Sequence, residues 1–211
     1  NEWMIGYLLD KKDISENTLQ TFKPAVCNRL DRNTSGIVLC GKSLRGLQIL
    51  SEDIKERRIR KFYQTLCHGR LSEYIDLDGY LLWDEVQKKA SVYNAPLENM
   101  GNTGRRLKDA RRIITRIHPL EYYKDMDVTL LEIELITGKH HQIRAHLSSI
   151  AHPIIGDAKY GDTAKDKRLS DSCGLHLRHQ LLDAYKVIMP DGRIYEAESK
   201  ELLQYIKVLG L

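Results

Sequence analysis

The stretch NRLDRNTSGIVLC, residues 28–40, places one carboxylate, Asp31, between two arginines in a turn-forming segment. Residues 34–36 read Thr-Ser-Gly, which supplies side-chain hydrogen bonding and a residue free to take unusual backbone angles. The apolar run Ile37–Cys40 predicts a buried strand that fixes this turn to a rigid element. A carboxylate held in this way is either a structural ion pair or a reactive group, because catalytic residues are often carried on anchored loops.

The rest of the chain predicts more strands than helices. A first helix is predicted from Ser15 until Pro24 ends the segment, and a second from the N-cap Ser43 to about Arg58. A third follows Thr137-Gly138, with Ile143, Leu147 and Ile150 facing inward. The last begins at Ser199, with Leu202, Leu203 and Ile206 facing inward. Strand patterns occupy 60–69, 80–83, 90–93, 110–117, 128–136, 185–189 and 193–197, with turns at Asp78-Gly79 and Pro190-Asp191-Gly192 and a flexible loop at Met100–Gly104. Because βαβ alternation is not regular, the order predicts an α+β domain on a mostly antiparallel sheet.

Length and cysteine usage narrow the class of protein. The chain has 211 residues, which suits one domain with a substantial core. Its 4 cysteines are scattered without a CxxC pair, so the sequence predicts neither a zinc site nor a disulfide framework and favours a reducing, cytosolic setting. No apolar run approaches the roughly 18 to 20 residues that cross a bilayer, so no membrane association is expected.

Positive charge is clustered rather than evenly spread. The net charge is only +4. Basic runs stand at Lys55–Lys61, Gly104–Arg116, Lys139–His146 and Lys165–Arg168. Such runs either form an electrostatic surface for a polyanion such as RNA or are ordinary solvated faces of helices and loops.

Three stretches of the chain resemble the RluA-type pseudouridine synthases. The first is RLDxxTSG at Arg29–Gly36, the second is RKFYQTLCHG at Arg60–Gly69, and the third is TGKHHQIRAHLSSIAHPIIGDAKYG at Thr137–Gly161. Three motifs in the family's order, one of them this long, form a specific pattern. The resemblance covers the chain from about Asn28 to the C-terminal helix, and it includes a departure, because Asn28 stands where the family usually has histidine.

The resemblance implies a pseudouridine synthase fold, an α+β domain with a mixed, mostly antiparallel sheet flanked by helices. It implies one catalytic domain over residues 1–211 that lacks an N-terminal portion, namely the first strands and a possible S4 RNA-binding domain. The implied reaction isomerises specific uridines in structured RNA through an aspartate, with no cofactor and no metal. We expect ribosomal RNA as the partner, a monomer, and a cytoplasmic location.

The resemblance also assigns roles to individual residues. Asp31 would attack the sugar or abstract a sugar proton, Arg144 would be its ion-pair partner, and Tyr63 would stack on the base and could accept a proton. Arg29 would enter the RNA stack where the uridine leaves, in keeping with the need to take a base out of a helix before chemistry. The residues expected to bind substrate are Arg29, Arg32, Thr34, His141 and Gln142.

Each assignment has a plainer alternative in the residues themselves. Asp31 could be a surface ion pair, Arg144 an exposed helix arginine, and Tyr63 a cross-strand packing residue. For the whole chain the alternatives are a non-catalytic RNA-binding module on the same fold, an enzyme acting on transfer RNA, and a metal-dependent hydrolase. Intact Asp31, Tyr63 and Arg144 together argue against the binding module, which has no need of them.

Four histidines, at positions 140, 141, 146 and 152, raise the possibility of a metal site. The spacing from His141 to His146 does not put both rings on one helical turn, and no cysteine or carboxylate in the motif completes a tetrahedral set. The sequence therefore favours His141 and Gln142 as supports for the loop or contacts to RNA. Gly156-Asp157 and Tyr160-Gly161 are interpreted as structural turns.

Overall fold

A computed structural model describes residues 2–94, 110–174 and 176–210. The helices are α1 (Glu2–Asp10), α2 (Glu16–Thr21), α3 (Leu44–Lys55), α4 (Gln142–Ser149), α5 (Thr163–Cys173) and α6 (Lys200–Leu209), and a 3₁₀ turn spans Lys124–Met126. Within these described ranges, no helix is both long enough and apolar enough to cross a membrane.

The strands form one large sheet and one small one. They are β1 (Ala25–Val26), β2 (Ser35–Gly36), β3 (Cys40–Gly41), β4 (Arg60–His68), β5 (Ile75–Asp84), β6 (Lys89–Tyr93), β7 (Arg111–Tyr123), β8 (Val128–Leu135), β9 (Leu182–Ile188) and β10 (Ile194–Glu196). The 8-stranded sheet has the order β10-β9-β4-β8-β7-β5-β6, and β2 joins it alongside β9. The pairing of β2 with β9 is parallel and the other described pairings are antiparallel, which confirms the predicted α+β class and mixed sheet.

Strand β4 lies between β9 and β8, and its alternation divides the core into two layers. Tyr63 and Cys67 point to the layer that also holds Ile143 and Leu147 of α4. Leu66 points to the opposite layer. That second layer also contains Leu169 of α5 and Leu202 and Tyr205 of α6. The period-two prediction for β4 is confirmed, and it is this alternation that carries Tyr63 to the layer of α4.

Serine caps begin three of the helices as predicted. Ser15, Ser43 and Ser199 each accept a hydrogen bond from a backbone N–H in the first turn of α2, α3 and α6. Helix α5 was not predicted, although Asp162 caps it by accepting from the backbone N–H groups of residues 164 and 165. The basic run at Lys165–Arg168 lies in this helix.

Two local predictions are wrong. Ile37–Cys40 is not a buried strand, because only Cys40 belongs to a strand and Val38 is 44% exposed. Asp78-Gly79 is not a turn, because both residues pair with β7 inside β5, and the chain reverses instead at 85–88. The loop predicted at Met100–Gly104 lies outside the described residues.

Buried tyrosines make the fold sensitive to alkali. Burial raises the pKa of Tyr63, Tyr123 and Tyr205 to about 12 in each case. The unfolded chain ionises these phenols near pH 10, so between about pH 10 and 12 the unfolded state has released protons that the folded state retains. Folding stability is therefore full below about pH 10 and falls as the pH rises towards 12.

We expect Tyr205→Phe to flatten this alkaline decline by up to about 1.4 kcal/mol per pH unit. Its hydroxyl is buried and has no hydrogen-bond partner among the described residues, so at pH 7 the variant should be as stable as the wild type or more stable. Urea unfolding from pH 7 to 11.5 measures both effects. Tyr7→Phe, at a 49% exposed site, is the control, and an identical decline in all three proteins would contradict the assignment.

Candidate active site

The loop that carries Asp31 is closed by hydrogen bonds at several points. The Asn28 side-chain oxygen accepts from the backbone N–H of Leu39 at 2.7 Å, which joins the two ends of the loop. The backbone N–H of Thr34 donates to the Asp31 carbonyl at 3.0 Å. From outside the loop, the Gln180 amide donates to the Arg32 carbonyl at 2.7 Å. Asn28, the departure from the family pattern, therefore helps to hold the loop.

Strand β2 fastens the same loop to the main sheet. Ser35 donates to the buried carboxylate of Asp183 at 2.5 Å, and Gly36 pairs with Ala184 of β9. Gly36 has φ +110°, and a Cβ there would lie 2.3 Å from the Ala184 carbonyl oxygen, so only glycine fits. The turn predicted from Thr-Ser-Gly is thus held by β9, which replaces the strand expected at Ile37–Cys40.

Arg144 of α4 reaches Asp31 from 113 positions further along the chain. Its Nη1 donates to Asp31 Oδ2 at 3.3 Å. The fork formed by Nε and Nη2 is occupied by Asp157, with distances of 2.7 and 2.9 Å. The predicted pairing of Arg144 with Asp31 is present in the structure, but the bidentate partner is Asp157.

Burial and charge act against each other in this trio. Burial disfavours the charged guanidinium, but hydrogen bonds and charges from Asp157 and Asp31 outweigh it and raise the pKa of Arg144. Burial likewise disfavours the Asp157 carboxylate, and the hydrogen bonds from Arg144 and from the backbone of residues 159 and 160 outweigh it and lower the pKa of Asp157. Arg144 and Asp157 therefore stay ionised, while the Asp31 side chain keeps 18% of its surface exposed.

Tyr63 lines the same pocket from β4 and is 8% exposed. Burial, and after it the charge of Asp31, raises the pKa of Tyr63 to about 12. Its hydroxyl is therefore neutral at pH 7, and its ring forms part of the pocket wall. The phenolate that would serve as a strong base is not populated at that pH.

A wall of rings closes the side of the pocket near the start of α4. His141 Nδ1 and the Tyr160 hydroxyl are hydrogen-bonded at 3.0 Å, and His141 Nε2 lies 4.0 Å from Asp31 Oδ2. His140 packs between Trp83, at a ring distance of 4.4 Å, and His141, at 4.1 Å. Burial and the charge of Arg144 lower the pKa of His141 to about 4, so its imidazole is neutral at pH 7.

Gln142 is buried and is bonded within the protein. Its amide donates to the Ile114 carbonyl and to Thr115, both at 3.0 Å, and its oxygen accepts from Thr137 at 2.9 Å. Of the two roles considered for Gln142, support of the loop and contact with RNA, this placement favours support. Both His141 and Gln142 border the pocket.

The pocket itself is a cavity of about 440 Å³. Asp31, Tyr63, His141 and Arg144 line it, together with Arg29, Arg32, Thr34, Lys61 and Lys139. Lys61 is half-buried, and burial lowers its pKa. Arg29, Arg32 and Lys139 are exposed. Among the described residues, none of Arg29, Arg32, Lys61 and Lys139 contacts a carboxylate. The cavity therefore joins one carboxylate to a positively charged mouth.

One of the two reasons given above against a metal site, the missing carboxylate, does not hold. Although the third motif contains no carboxylate beside its histidines, the fold brings Asp31 to them. Donor atoms of Asp31, His140 and His141 lie within 4.8 Å of one another.

This chain belongs to the RNA pseudouridylate synthase family, because the family's model matches residues 7–149. That membership confirms the resemblance seen in the three motifs. An uncharacterized RNA pseudouridine synthase of Helicobacter pylori is 33% identical over 141 residues, which are 67% of this chain and 44% of that protein. The chain thus spans less than half the length of that relative.

Two other relatives have more specific names. The tRNA pseudouridine synthase C of Salmonella typhimurium is 31% identical over 175 residues, covering 80% of this chain and 66% of that protein. The ribosomal large subunit pseudouridine synthase C of Haemophilus ducreyi is 33% identical over 151 residues, covering 69% and 42%. The solved structure of human RNA pseudouridylate synthase domain containing 4 has a TM-score of 0.74 at 21% identity, covering 90% of this chain and 77% of that one, and it supports the fold.

Sequence reasoning missed the residues that support the site. Asp157 and Tyr160 were interpreted as structural turns, yet Asp157 holds Arg144, and Tyr160 contacts both His141 and Arg144. Gln180 and Asp183 were not singled out, although both hold the Asp31 loop. The available signal was that Gln180 and Asp183 stand on either side of the apolar pair Leu181-Leu182, since buried polar groups need partners.

We expect Asp157→Asn to destabilise the protein far more than Asp31→Ala. Asp157→Asn removes the negative charge that compensates the buried Arg144 guanidinium, and breaking a buried pair in this way costs about 3–5 kcal/mol. Asp31→Ala should cost less than about 1 kcal/mol, because the bidentate pair remains. Urea unfolding at pH 7 measures both.

The double variant Arg144→Met/Asp157→Asn serves as the control for this comparison. It leaves no uncompensated charge in the interior, so it should recover part of the lost stability. Equal destabilisation by Asp157→Asn and Asp31→Ala would show that the two carboxylates share Arg144 evenly.

Proposed function

We propose that this chain is a pseudouridine synthase that isomerises uridine in structured RNA, with Asp31 as the reactive carboxylate. The observation that carries the proposal is that Asp31, Arg144 and Tyr63 line one pocket although they come from three separate motifs. Family membership supports the reaction class. A cavity of this size, open to solvent through a cationic mouth, suits a single nucleotide taken out of an RNA helix.

The geometry supports a division of roles around the glycosidic bond. Asp31 is held by one contact to Arg144 and keeps an exposed edge, so it can approach the sugar either as a nucleophile or as a base. The reaction breaks the bond from C1′ to N1, turns the base and joins C1′ to C5. The proton on C5 is then lost and N1 gains a proton, so the net change is an isomerisation. Arg144 keeps the carboxylate oriented for these steps through an ion pair.

Tyr63 is proposed to stack on the base while it turns. Its ring is fixed by the strand, and its neutral hydroxyl can donate a hydrogen bond to the base. With a pKa of about 12, the hydroxyl is a poor proton acceptor at neutral pH, which weighs against a role as base at C5.

The unpaired charge at the pocket mouth supports binding to RNA phosphates, and two of its cations, Lys61 and Lys139, belong to the basic runs. Many basic residues of those runs are paired, including Arg58 with Asp53, Arg112 with Asp78, and Arg60 and Arg116 with Glu134. The cations at the mouth have no such partners among the described residues. Arg29 and Arg32, on either side of Asp31, are therefore proposed as the main RNA contacts, with Arg29 entering the stack and Thr34 shaping the turn between them and β2.

Ribosomal RNA remains the proposed substrate. The relatives include one named for the ribosomal large subunit and one named for transfer RNA, and each alignment covers most of this chain. A single catalytic domain, a monomer and a cytoplasmic location stay predictions. A non-catalytic RNA-binding module is the second candidate. It would bind RNA without needing a carboxylate in the pocket, so conversion of uridine separates the two.

We expect Asp31→Ala to lower conversion at least about 10³-fold while RNA affinity stays close to that of the wild type, because only the reactive group is lost. Ribosomal and transfer RNA transcripts, scored by chemical detection of pseudouridine, measure conversion. Asp171→Ala, an exposed carboxylate on α5, is the matched control and should convert normally. Full turnover by Asp31→Ala would remove the proposed reactive group.

We expect the double variant Arg29→Gln/Arg32→Gln to reduce the salt dependence of RNA binding. Two lost phosphate contacts should lower the slope of log K against log salt by about 1.5. Fluorescence anisotropy with a labelled stem–loop RNA measures the slope. Arg193→Gln, which removes a cation already paired with Asp191 at 2.7 Å, is the control, and equal slopes in both variants would place the phosphate contacts elsewhere.

A further inference from the structure

Three side chains with metal-binding atoms meet at the edge of the pocket. Asp31 comes from the loop before β2, and His140 and His141 come from the turn before α4. One donor atom from each lies within 4.8 Å of the others, and no other such trio occurs among the described residues. Tetrahedral zinc with bonds of about 2.1 Å sets its ligands about 3.4 Å apart, so small side-chain movements would close the site.

His141 is already oriented as a ligand would be. Its Nδ1 is hydrogen-bonded to the Tyr160 hydroxyl at 3.0 Å, which leaves Nε2 facing Asp31 Oδ2 at 4.0 Å. The Tyr160 oxygen is itself fixed, because it accepts from the backbone N–H of Ala90 at 2.6 Å. Histidines that bind metals are commonly held in this way through the ring nitrogen that does not touch the ion.

His140 supplies the movable ligand. It is exposed, and its ring rests between Trp83 and His141 at distances of 4.4 and 4.1 Å. An exposed imidazole stacked at the rim can turn about its side-chain bonds without unpacking the core. The site therefore combines one fixed nitrogen, one adjustable nitrogen and a carboxylate.

The groups nearest the three ligand atoms carry net negative charge, which favours a cation, whereas Arg29, Arg32, Lys61 and Lys139 at the pocket mouth oppose one. Arg144 lies 3.3 Å from Asp31, but Asp157 occupies its fork, so the three groups together carry one negative charge. Lys159 opposes a cation, although its ammonium is directed to the carbonyl of Lys88 at 2.7 Å. Two imidazoles and one carboxylate suit Zn²⁺, Ni²⁺ or Co²⁺, whereas Mg²⁺ and Ca²⁺ prefer oxygen ligands.

We propose that Asp31, His140 and His141 bind a divalent transition-metal ion, represented by Zn²⁺, and that the bound ion inhibits the enzyme. Coordination uses the lone pair that Asp31 would direct at the sugar, and the ion occupies the entrance to the pocket. The binding step stands on the geometry alone. The inhibition rests on the proposed function.

Calorimetric titration of the metal-free chain with ZnCl₂ tests the binding step. We expect one ion to bind, with His140→Ala and Asp31→Ala each weakening the affinity about tenfold or more. His176→Ala, an exposed histidine outside the trio, should bind as the wild type does, and excess Mg²⁺ should not compete. Equal affinity in the wild type and His140→Ala overturns the proposal.

A second measurement excludes binding at a thiol, since Cys27 also lines the pocket. Co²⁺ in place of Zn²⁺ should give visible absorption without an intense near-ultraviolet thiolate band. Cys27→Ser should keep the zinc affinity. A strong thiolate band that disappears in Cys27→Ser would assign the ion to the cysteine and overturn the proposed site.

Inhibition is measured on uridine conversion, with each protein compared with its own metal-free rate. We expect His140→Ala to need at least about ten times more Zn²⁺ than the wild type for half inhibition. Equal inhibition of the two proteins overturns the inhibitory role. If the metal-free wild type converts no uridine, the proposed function fails, and the titration still decides whether the site binds zinc.

Discussion

The buried guanidinium of Arg144 is the constraint on which the rest of the site depends. A charged group is stable out of water only when its partners and hydrogen bonds are complete. Asp157 supplies most of these partners to Arg144, from a turn that follows α4 and the Ile154 bridge to β4. The carboxylate of Asp157 is fully buried and is also bonded by two backbone N–H groups. The position of Arg144 is therefore fixed by Asp157 and does not depend on Asp31.

The carboxylate that holds Arg144 is thus different from the carboxylate that is proposed to react. If Asp31 were the only partner of Arg144, moving the carboxylate towards a sugar would leave a buried charge unpaired, which is costly. Because Asp157 occupies the fork, Asp31 contributes only one contact of 3.3 Å and can change its partner at lower cost. The carboxylate proposed to react therefore lies next to a cation whose charge Asp157 already compensates.

The sequence predicted elements whose causes are local, and it failed where distant segments decide. Alternation in β4 and the caps at Ser15, Ser43 and Ser199 follow from neighbouring residues, and each is present. Ile37–Cys40 looked like a buried strand, but the adjoining Gly36 pairs with β9, nearly 150 positions away, and the run leaves the sheet. Asp78-Gly79 resembled a turn, yet pairing with β7 keeps it extended, since tertiary contacts override local preference. The role of Asp157 was missed for the same reason, because only the fold brings its partner Arg144 into contact with it.

Positive charge stays accessible where cations lack carboxylate partners among the described residues, both at the pocket mouth and in the Lys165–Arg168 run of α5. On the sheet surface, cations stand opposite carboxylates on neighbouring strands, as Arg60 and Arg116 both do with Glu134. The Asp31 loop is fixed by polar bonds from Gln180 and Asp183 to its backbone and to Ser35, which leaves the side chains of Arg29 and Arg32 without an acidic partner among the described residues. These unpaired side chains can attract an anionic ligand to the loop that holds Asp31, the carboxylate proposed to react. The proposed RNA contacts and the proposed reactive group thus lie on one loop, which the sheet anchors.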